Sequence, residues 1–335
     1  MARSYTLMAV QAMNIFITGA SGFVGGAAAR RLAAEGHRVR AMSRSSSSDQ
    51  KIRALGAEPV RCDLEMVTAA DVRGAEIVIH CAAFVEQWGP PDAWDRINVE
   101  GTKRMLDAAQ QAGARRFIHI GTEAALVHGQ YLRGVDETYP LAFDSPYPYC
   151  RTKALAEQAV RAANRAGFET IVLRPRFIWG PGDQTILPLL PKMAASGGWM
   201  WIDHGRAVTS TTHIDNLVDA IDLALTKGQP GEAYFILDDG ERSMKAMLSG
   251  LAASMDVVLP DRSIPYWLAD TIAAVSEGTW RLLRLSGDPP LTRHGAMVMA
   301  RDCILIGTKA KNELGYRPRI TVEEGLAAPA DAPER

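Results

Sequence analysis

The sequence predicts an α/β protein: a doubly wound, mostly parallel sheet with helices on both faces, then a smaller, mostly helical C-terminal region. Three observations predict it. Short apolar runs alternate with helical patterns through the first half of the 335 residues. The first run is joined to the first helix by a glycine-spaced turn. After Pro175 the alternation breaks, and residues 180–204 are rich in Pro and Gly.

The elements follow in order. Asn14 to Thr18 is the first strand, and Phe23 to Glu35 is a helix that Gly36 stops. Val39 to Met42, Pro59 to Arg61 and Ile77 to His80 are the next strands, and Ser45 to Ser48 reads as a loop. Asp92 to Gln111 is a long helix, Phe117 to Ile120 a strand, Tyr149 to Arg165 a helix and Thr170 to Leu173 a strand. Runs this apolar belong to strands buried on both faces. His213 to Leu225 reads as a helix, Ala233 to Leu237 as a strand, and 243–285 as mostly helical. Residues 13–180 therefore form one unit, to which 205–240 returns, while 181–204 and 241–330 form the second. Residues 1–12 read as an extension, too short and weakly apolar for a secretory signal; Met8 and Met13 are alternative starts.

Composition narrows the function. The net charge is −1 with no basic patch, which argues against a nucleic-acid partner. No run of about eighteen apolar residues occurs, so no membrane span is expected. Cys62, Cys81, Cys150 and Cys303 are far apart, with no His at ligand spacing, so neither a disulfide framework nor a metal site is expected. Free thiols fit a reducing, cytoplasmic setting.

The turn Thr18-Gly19-Ala20-Ser21-Gly22-Phe23-Val24-Gly25 joins strand to helix. Gly19, Gly22 and Gly25 allow a tight turn, close backbone approach to a pyrophosphate and tight helix–strand packing. The helix N-terminus, with Ser21, Phe23 and Val24, offers unpaired N–H groups to the anion. This is the pattern of a Rossmann-type dinucleotide site. Met42-Ser43-Arg44 ends the second strand where an NAD site carries Asp or Glu. A cation beside a hydroxyl suits the 2′-phosphate of NADP, so NADP is favoured over NAD. Asp63, with Leu64, either edges the adenine or is an ordinary turn aspartate.

Tyr149 and Lys153 stand four apart at a helix start, on one face. A phenol with an ordinary pKa of about 10 is a poor acid or base near neutrality, and a nearby ammonium corrects that. Such a pair can exchange a proton with a hydroxyl or carbonyl while hydride passes to or from a nicotinamide.

The chain resembles the extended short-chain dehydrogenase/reductases. The motifs that carry the resemblance are Thr18–Gly25, His80-Cys81-Ala82-Ala83, Asn98-Val99-Glu100-Gly101-Thr102, Tyr149–Lys153, Leu173-Arg174-Pro175 with Gly180-Pro181-Gly182-Asp183, and His213-Ile214-Asp215-Asn216. The resemblance implies a dinucleotide-binding domain with a small substrate domain. It implies Tyr149 as the acid–base residue and Lys153 as its partner, with Ala82, Ala83, Asn98 and Pro175 at the cofactor. The family's hydroxyl at the end of the fifth strand falls to Thr122, since Gly121 replaces the usual Ser; an alternative count reaches Ala124. Glu123 reads as a pocket or structural residue, because the second carboxylate of sugar-nucleotide dehydratases is missing.

Thr122 to Val127, with the pattern from Pro265 to Arg284 and beyond, is similar to the 3β-hydroxysteroid dehydrogenase and dihydroflavonol reductase branch. That branch implies interconversion of a secondary alcohol and a ketone on an apolar small molecule. Trp88 and Trp179 are candidate substrate contacts, although core packing is the stronger reading of any single aromatic. The apolar stripe over 265–285 reads as a packed lid or homodimer helix before a membrane-docking one. Two further readings compete: a nucleotide-sugar epimerase or dehydratase that retains NAD, and a non-enzymatic dinucleotide sensor.

Overall fold

The computed structural model describes residues 12–328, so the expected extension lies, Ala12 apart, outside the described residues. Seven strands form the central sheet: β1 (Asn14–Thr18), β2 (Arg38–Ser43), β3 (Glu58–Arg61), β4 (Ile77–His80), β5 (Arg116–Ile120), β6 (Glu169–Pro175) and β7 (Ala233–Ile236). Their order is β7-β6-β5-β4-β1-β2-β3, and every pair is parallel. The chain runs outward from β1 in one direction and resumes at β4 in the other. That switch opens a crevice at the carboxyl ends of β1 and β4.

Side-chain period two sorts each strand between two cores. Ile15, Ile17, Ile77, Ile79, Ile118, Ile120, Ile171 and Leu173 meet Leu32 of helix α1 (Phe23–Ala34) on one face. Phe16, Val78, Phe117 and Val172 meet Met105 and Leu106 on the other. Ser45 to Ser48, expected as a loop, instead open helix α2 (Ser46–Ala54). The Ser45 hydroxyl accepts the Ser48 N–H at 3.2 Å, the capping role that short polar side chains prefer. Two further helices cover the second face: α3 (Gly101–Gln111), entered through a π-turn at Asp95–Glu100, and α4 (Pro148–Ala162). Helix α5 (Ile214–Ala224) packs Leu217 and Ile221 beside α1 and leads to β7.

The remaining sequence adds a smaller sheet and a separate core. The sheet has four strands and gathers Leu132–Val135, Val208–Thr209, Arg242–Ser243 and Cys303–Leu305. The core is Trp179, Trp199 and Trp201 against Met244, Met247, Leu248 and Leu251. Trp179 is therefore not a substrate contact. Its N–H is spent on Asp238 at 2.8 Å and its ring meets His213 edge-on, so both ends of the indole are satisfied in the core. Helix α6 (Tyr266–Leu283) buries Ala269, Ala273 and Ser276, and helix α7 (Arg293–Ala300) packs beside it. Trp267, Ile272, Val275, Leu282 and Leu283 stay exposed on α6. Among the described residues, no helix is long and apolar enough to cross a membrane.

Candidate active site

The cofactor wall is built first by sterics. Gly19 takes a φ of 76°, and a Cβ there would lie 2.9 Å from the Ala82 nitrogen. A Cβ on Gly25 would lie 2.5 Å from the Gly19 carbonyl oxygen. Only glycine lets the β1 turn, the loop after β4 and α1 approach so closely. Gly22 starts α1 without a side-chain cap, so the first-turn N–H groups remain for an anion. A buried chain then locks the two strand tips together. Ala82 N–H donates to Thr18 Oγ1 at 3.0 Å, Thr18 meets His80 Nδ1 at 2.8 Å, and His80 Nε2 meets Thr102 at 3.0 Å. Burial holds His80 down to about 3, so it is a neutral strut.

Helix α4 carries Tyr149 and Lys153 into the crevice. Pro148 starts it, where a missing N–H costs nothing. Lys153 is buried and donates to the Ile120 carbonyl at 2.9 Å. An ammonium has three donors, so two remain for a ligand. Burial lowers Lys153 to about 8, partly offset by Glu157. Tyr149 is half-buried on α4, the helix that packs against the short turn capped by Thr122. Burial, then the negative charge of Glu123, pushes that phenol above its usual range, while the Thr122 hydroxyl and then Arg176 oppose them. Gly121 is explained by space: an added Cβ would lie 2.8 Å from Val172 Cγ1. Ala124, the alternative third member, is buried in the short turn that Thr122 caps and carries no hydroxyl.

The sequence did not single out two residues beside Tyr149. Arg176 is buried and donates to Glu123 at 2.6 Å and to Thr209 at 3.1 Å. The next residue, Phe177, has a φ of 45°, a strained turn for a bulky side chain. His294 comes from α7, with its ring 6.0 Å from Tyr149 and its Nε2 3.5 Å from Cys150 Sγ. Burial, reinforced by Arg176, pushes His294 down to about 4. Burial first, then Glu123, pushes the Cys150 thiol far above its usual value, which makes Cys150 an inert neighbour. Arg176 could have been noticed as a cation directly after an apolar strand; nothing local marks His294.

Some expected cofactor contacts act differently. Asn98 is tied to protein by three bonds: it accepts from Phe84 N–H and donates to Phe84 O and Thr152. It therefore fixes the loop after β4. Asp63 accepts the Glu65 and Met66 N–H groups, the arrangement of a turn aspartate, and Leu64 is core. Ser43 is also committed, donating to Asp49 at 2.5 Å, while Arg44 is exposed and makes no hydrogen bond or ion pair among the described residues. Pro175 ends β6, and Ala83 lies in the loop that follows β4. Trp88 is half-buried under the Arg281 guanidinium, 5.1 Å away.

Two other features of the described residues do not compete for the chemistry. Glu35, His37 and Asp222 cluster on the far side of α1. However, His37 Nδ1 accepts the Met13 N–H, which puts the neutral ring's proton on Nε2 and removes its free lone pair. A cavity of about 560 Å³, lined by Glu137, Tyr139, Phe143, Arg161 and Lys309 among others, touches neither Tyr149 nor the glycine turn.

Comparison with known proteins decides the family. The model of the NAD dependent epimerase/dehydratase family matches residues 15–236. This chain belongs to that family. A ketoreductase of Stigmatella aurantiaca, named for 4-hydroxy-2-methyl-3-oxo-4-farnesyl-3,4-dihydroquinoline-1-oxide, is 37% identical over 94% of this chain and 95% of its own. The 2-alkyl-3-oxoalkanoate reductase of Stenotrophomonas maltophilia is 36% identical over 94% and 97%. Among solved structures, gox2253 superposes with a TM-score of 0.75 at 29% identity, covering 95% of this chain and 96% of its own. The UDP-glucose 4-epimerase of Thermotoga maritima also reaches 0.75, at 21% identity over 95% and 98%, a likeness of fold. The protein is an oxidoreductase of this family, acting at CH–OH or ketone centres. The reading as a non-enzymatic sensor is thereby set aside.

Proposed function

We propose that the protein reduces the ketone of an apolar small molecule to a secondary alcohol, or runs the reverse, with NADPH preferred to NADH. The observation that carries this reading is that Tyr149 and a buried Lys153 share one helix packed against the Thr122 turn, with Lys153 bonded to the Ile120 carbonyl at the end of β5. The glycine turn and the two spare Lys153 donors suit a dinucleotide and its ribose. Bound there, the nicotinamide would supply or take up the hydride. Tyr149 holds the proton that the carbonyl oxygen needs. Lys153, pinned by Ile120, supplies the positive charge that stabilises the phenolate left behind.

The preference for NADPH rests on Arg44 and the α2 start. Arg44 is exposed beside Ser45, Ser46 and Ser47, which open the helix. A helix N-terminus with a free guanidinium suits a phosphate. The apolar substrate is supported by the relatives named for a farnesylated quinoline oxide and for alkyl-oxoalkanoates. Against sugar dehydration, both oxygens of Glu123 are already engaged, so it is no free base.

Steady-state assay of a ketone panel with each dinucleotide tests the proposal. Ketone-dependent consumption of NADPH, lost in Tyr149→Phe, is expected. Tightly copurifying NAD with no turnover of any free ketone would favour the epimerase reading instead.

A further inference from the structure

The cavity of about 560 Å³ that stands apart from Tyr149 and the glycine turn has a buried acid in its wall. Glu137 lines it and is only 9% exposed. Its Oε1 accepts the Phe235 N–H at 2.8 Å. Phe235 lies on β7, the outermost strand on this side, so Glu137 serves that N–H where no further strand does. Glu137 Oε2 makes no hydrogen bond or ion pair among the described residues. Burial holds the carboxyl above its ordinary range. A carboxylate accepts through both oxygens, and one left unmet inside a protein is costly.

The charges around the cavity are unequal. Three carboxylates line it, Asp136, Glu137 and Glu232, against two cations, Arg161 and Lys309, which leaves one negative charge. Glu232 occupies both cations: its Oε2 accepts from Lys309 Nζ at 2.6 Å and lies 3.8 Å from Arg161 Nη2. Arg161 Nε also donates to the Gly231 carbonyl at 3.1 Å, and the Lys309 ammonium rests 5.1 Å over the Tyr234 ring. Asp136 turns Oδ1 to the Thr138 N–H and hydroxyl at 3.0 and 2.6 Å. Glu137 is therefore the buried acceptor still open to a visitor. Leu141, Phe143 and Ile306 supply apolar surface, and the last two stand exposed.

We propose that this cavity is a second ligand site, which takes a protonated primary amine on a short apolar chain. The ammonium donates to Glu137 Oε2, a charge-assisted bond, and the chain lies against Leu141, Phe143 and Ile306. A single positive charge matches the single negative charge of the lining. An anion would meet Glu137 and would have to draw Lys309 and Arg161 away from Glu232, so the sign of the ligand is set. The site shares no lining residue with the catalytic crevice and stands whether or not the ketoreductase reading holds.

Calorimetric titration of the full chain with three probes of one chain length tests the site. Hexylamine should saturate and should bind about tenfold or more tightly than hexanol, with hexanoate weakest. Glu137→Gln keeps an amide oxygen for the Phe235 N–H and removes the charge. It should weaken hexylamine by about tenfold and leave hexanol unaltered. Should Glu137→Gln not fold, Ile306→Lys carries the test, because it changes an exposed wall residue and adds a cation. It should weaken hexylamine and strengthen hexanoate. Tyr149→Phe should bind hexylamine as the wild type does; a loss there would move the amine to the crevice and overturn the proposal. Hexylamine that does not saturate, hexanoate that binds as tightly, or hexylamine affinity unchanged in Glu137→Gln would overturn it as well.

Discussion

The two walls of the crevice are built on different physics. The cofactor wall comes from residues adjacent in sequence, Thr18 to Gly25, braced by neutral hydrogen bonds through His80 and Thr102. It depends on missing side chains: at Gly19 and Gly25 the backbones touch. The wall proposed to face the substrate is gathered from Thr122, Tyr149, Arg176, Thr209 and His294, around the buried Arg176–Glu123 ion pair. The first wall should fail when volume is added. The second should fail when charge is unbalanced.

The largest effect should come from the second wall. Arg176→Met leaves Glu123 buried without its cation and should cost about 3–5 kcal/mol of stability. Arg176→Met with Glu123→Met should recover most of it, since the desolvation of both charges also disappears. Denaturant titration of the three proteins measures this, and a double variant as unstable as the single would break the contrast. Gly25→Val should weaken NADPH binding on the order of 100-fold by forcing α1 off the turn, a misplacement of the kind that costs activity without touching chemistry. Fluorescence titration with NADPH checks it; unchanged affinity would mean that the cradle is not where the dinucleotide lies.

A third test uses pH against both walls at once. The folded values of His80 and His294, about 3 and about 4, lie below the ordinary 6.5. The unfolded chain therefore binds more protons than the folded one below that ordinary value. Stability should be full above pH 6.5 and be lost as pH falls towards 4 and then 3. Denaturation midpoints across that interval give the slope, and a flat profile would contradict the neutral-histidine assignment. The smallest effect sits at the rim. Arg44→Ala should reduce the preference for NADPH over NADH by about tenfold, the worth of one exposed charge-assisted contact. An unaltered ratio of kcat/KM values would remove Arg44 from phosphate recognition.

The same contrast governs what the sequence makes legible. Parallel strands announce themselves because Ile15-Phe16-Ile17 and Ile77-Val78-Ile79 must be apolar on both faces. The glycine turn is legible because its demand on backbone conformation is local. Tyr149 and Lys153 are legible because one helical turn brings them together. Ser45 misled because a serine run matches both a loop and a helix cap, and only the following turn distinguishes them. Asn98 has a role that its motif does not announce, since its side chain braces the loop after β4. Trp179 looked available until Asp238, far along the chain, claimed its N–H. Arg176 and His294 meet Tyr149 only through tertiary packing, which no local pattern encodes.

The seventh strand has a consequence for how the chain comes into being. Ala233–Ile236 pairs with β6 along Val172 to Pro175, so the sheet is unfinished until residue 236 has been made. Until then the outer edge of β6, carrying Ile171 and Leu173, is an open template for another chain. A nascent chain stalled before that point, or a chain truncated after the catalytic helix, would present this edge to solvent. The strand that leads into Arg176 is thus among the last to be sealed, and protection from aggregation during synthesis depends on a segment that carries none of the proposed site residues.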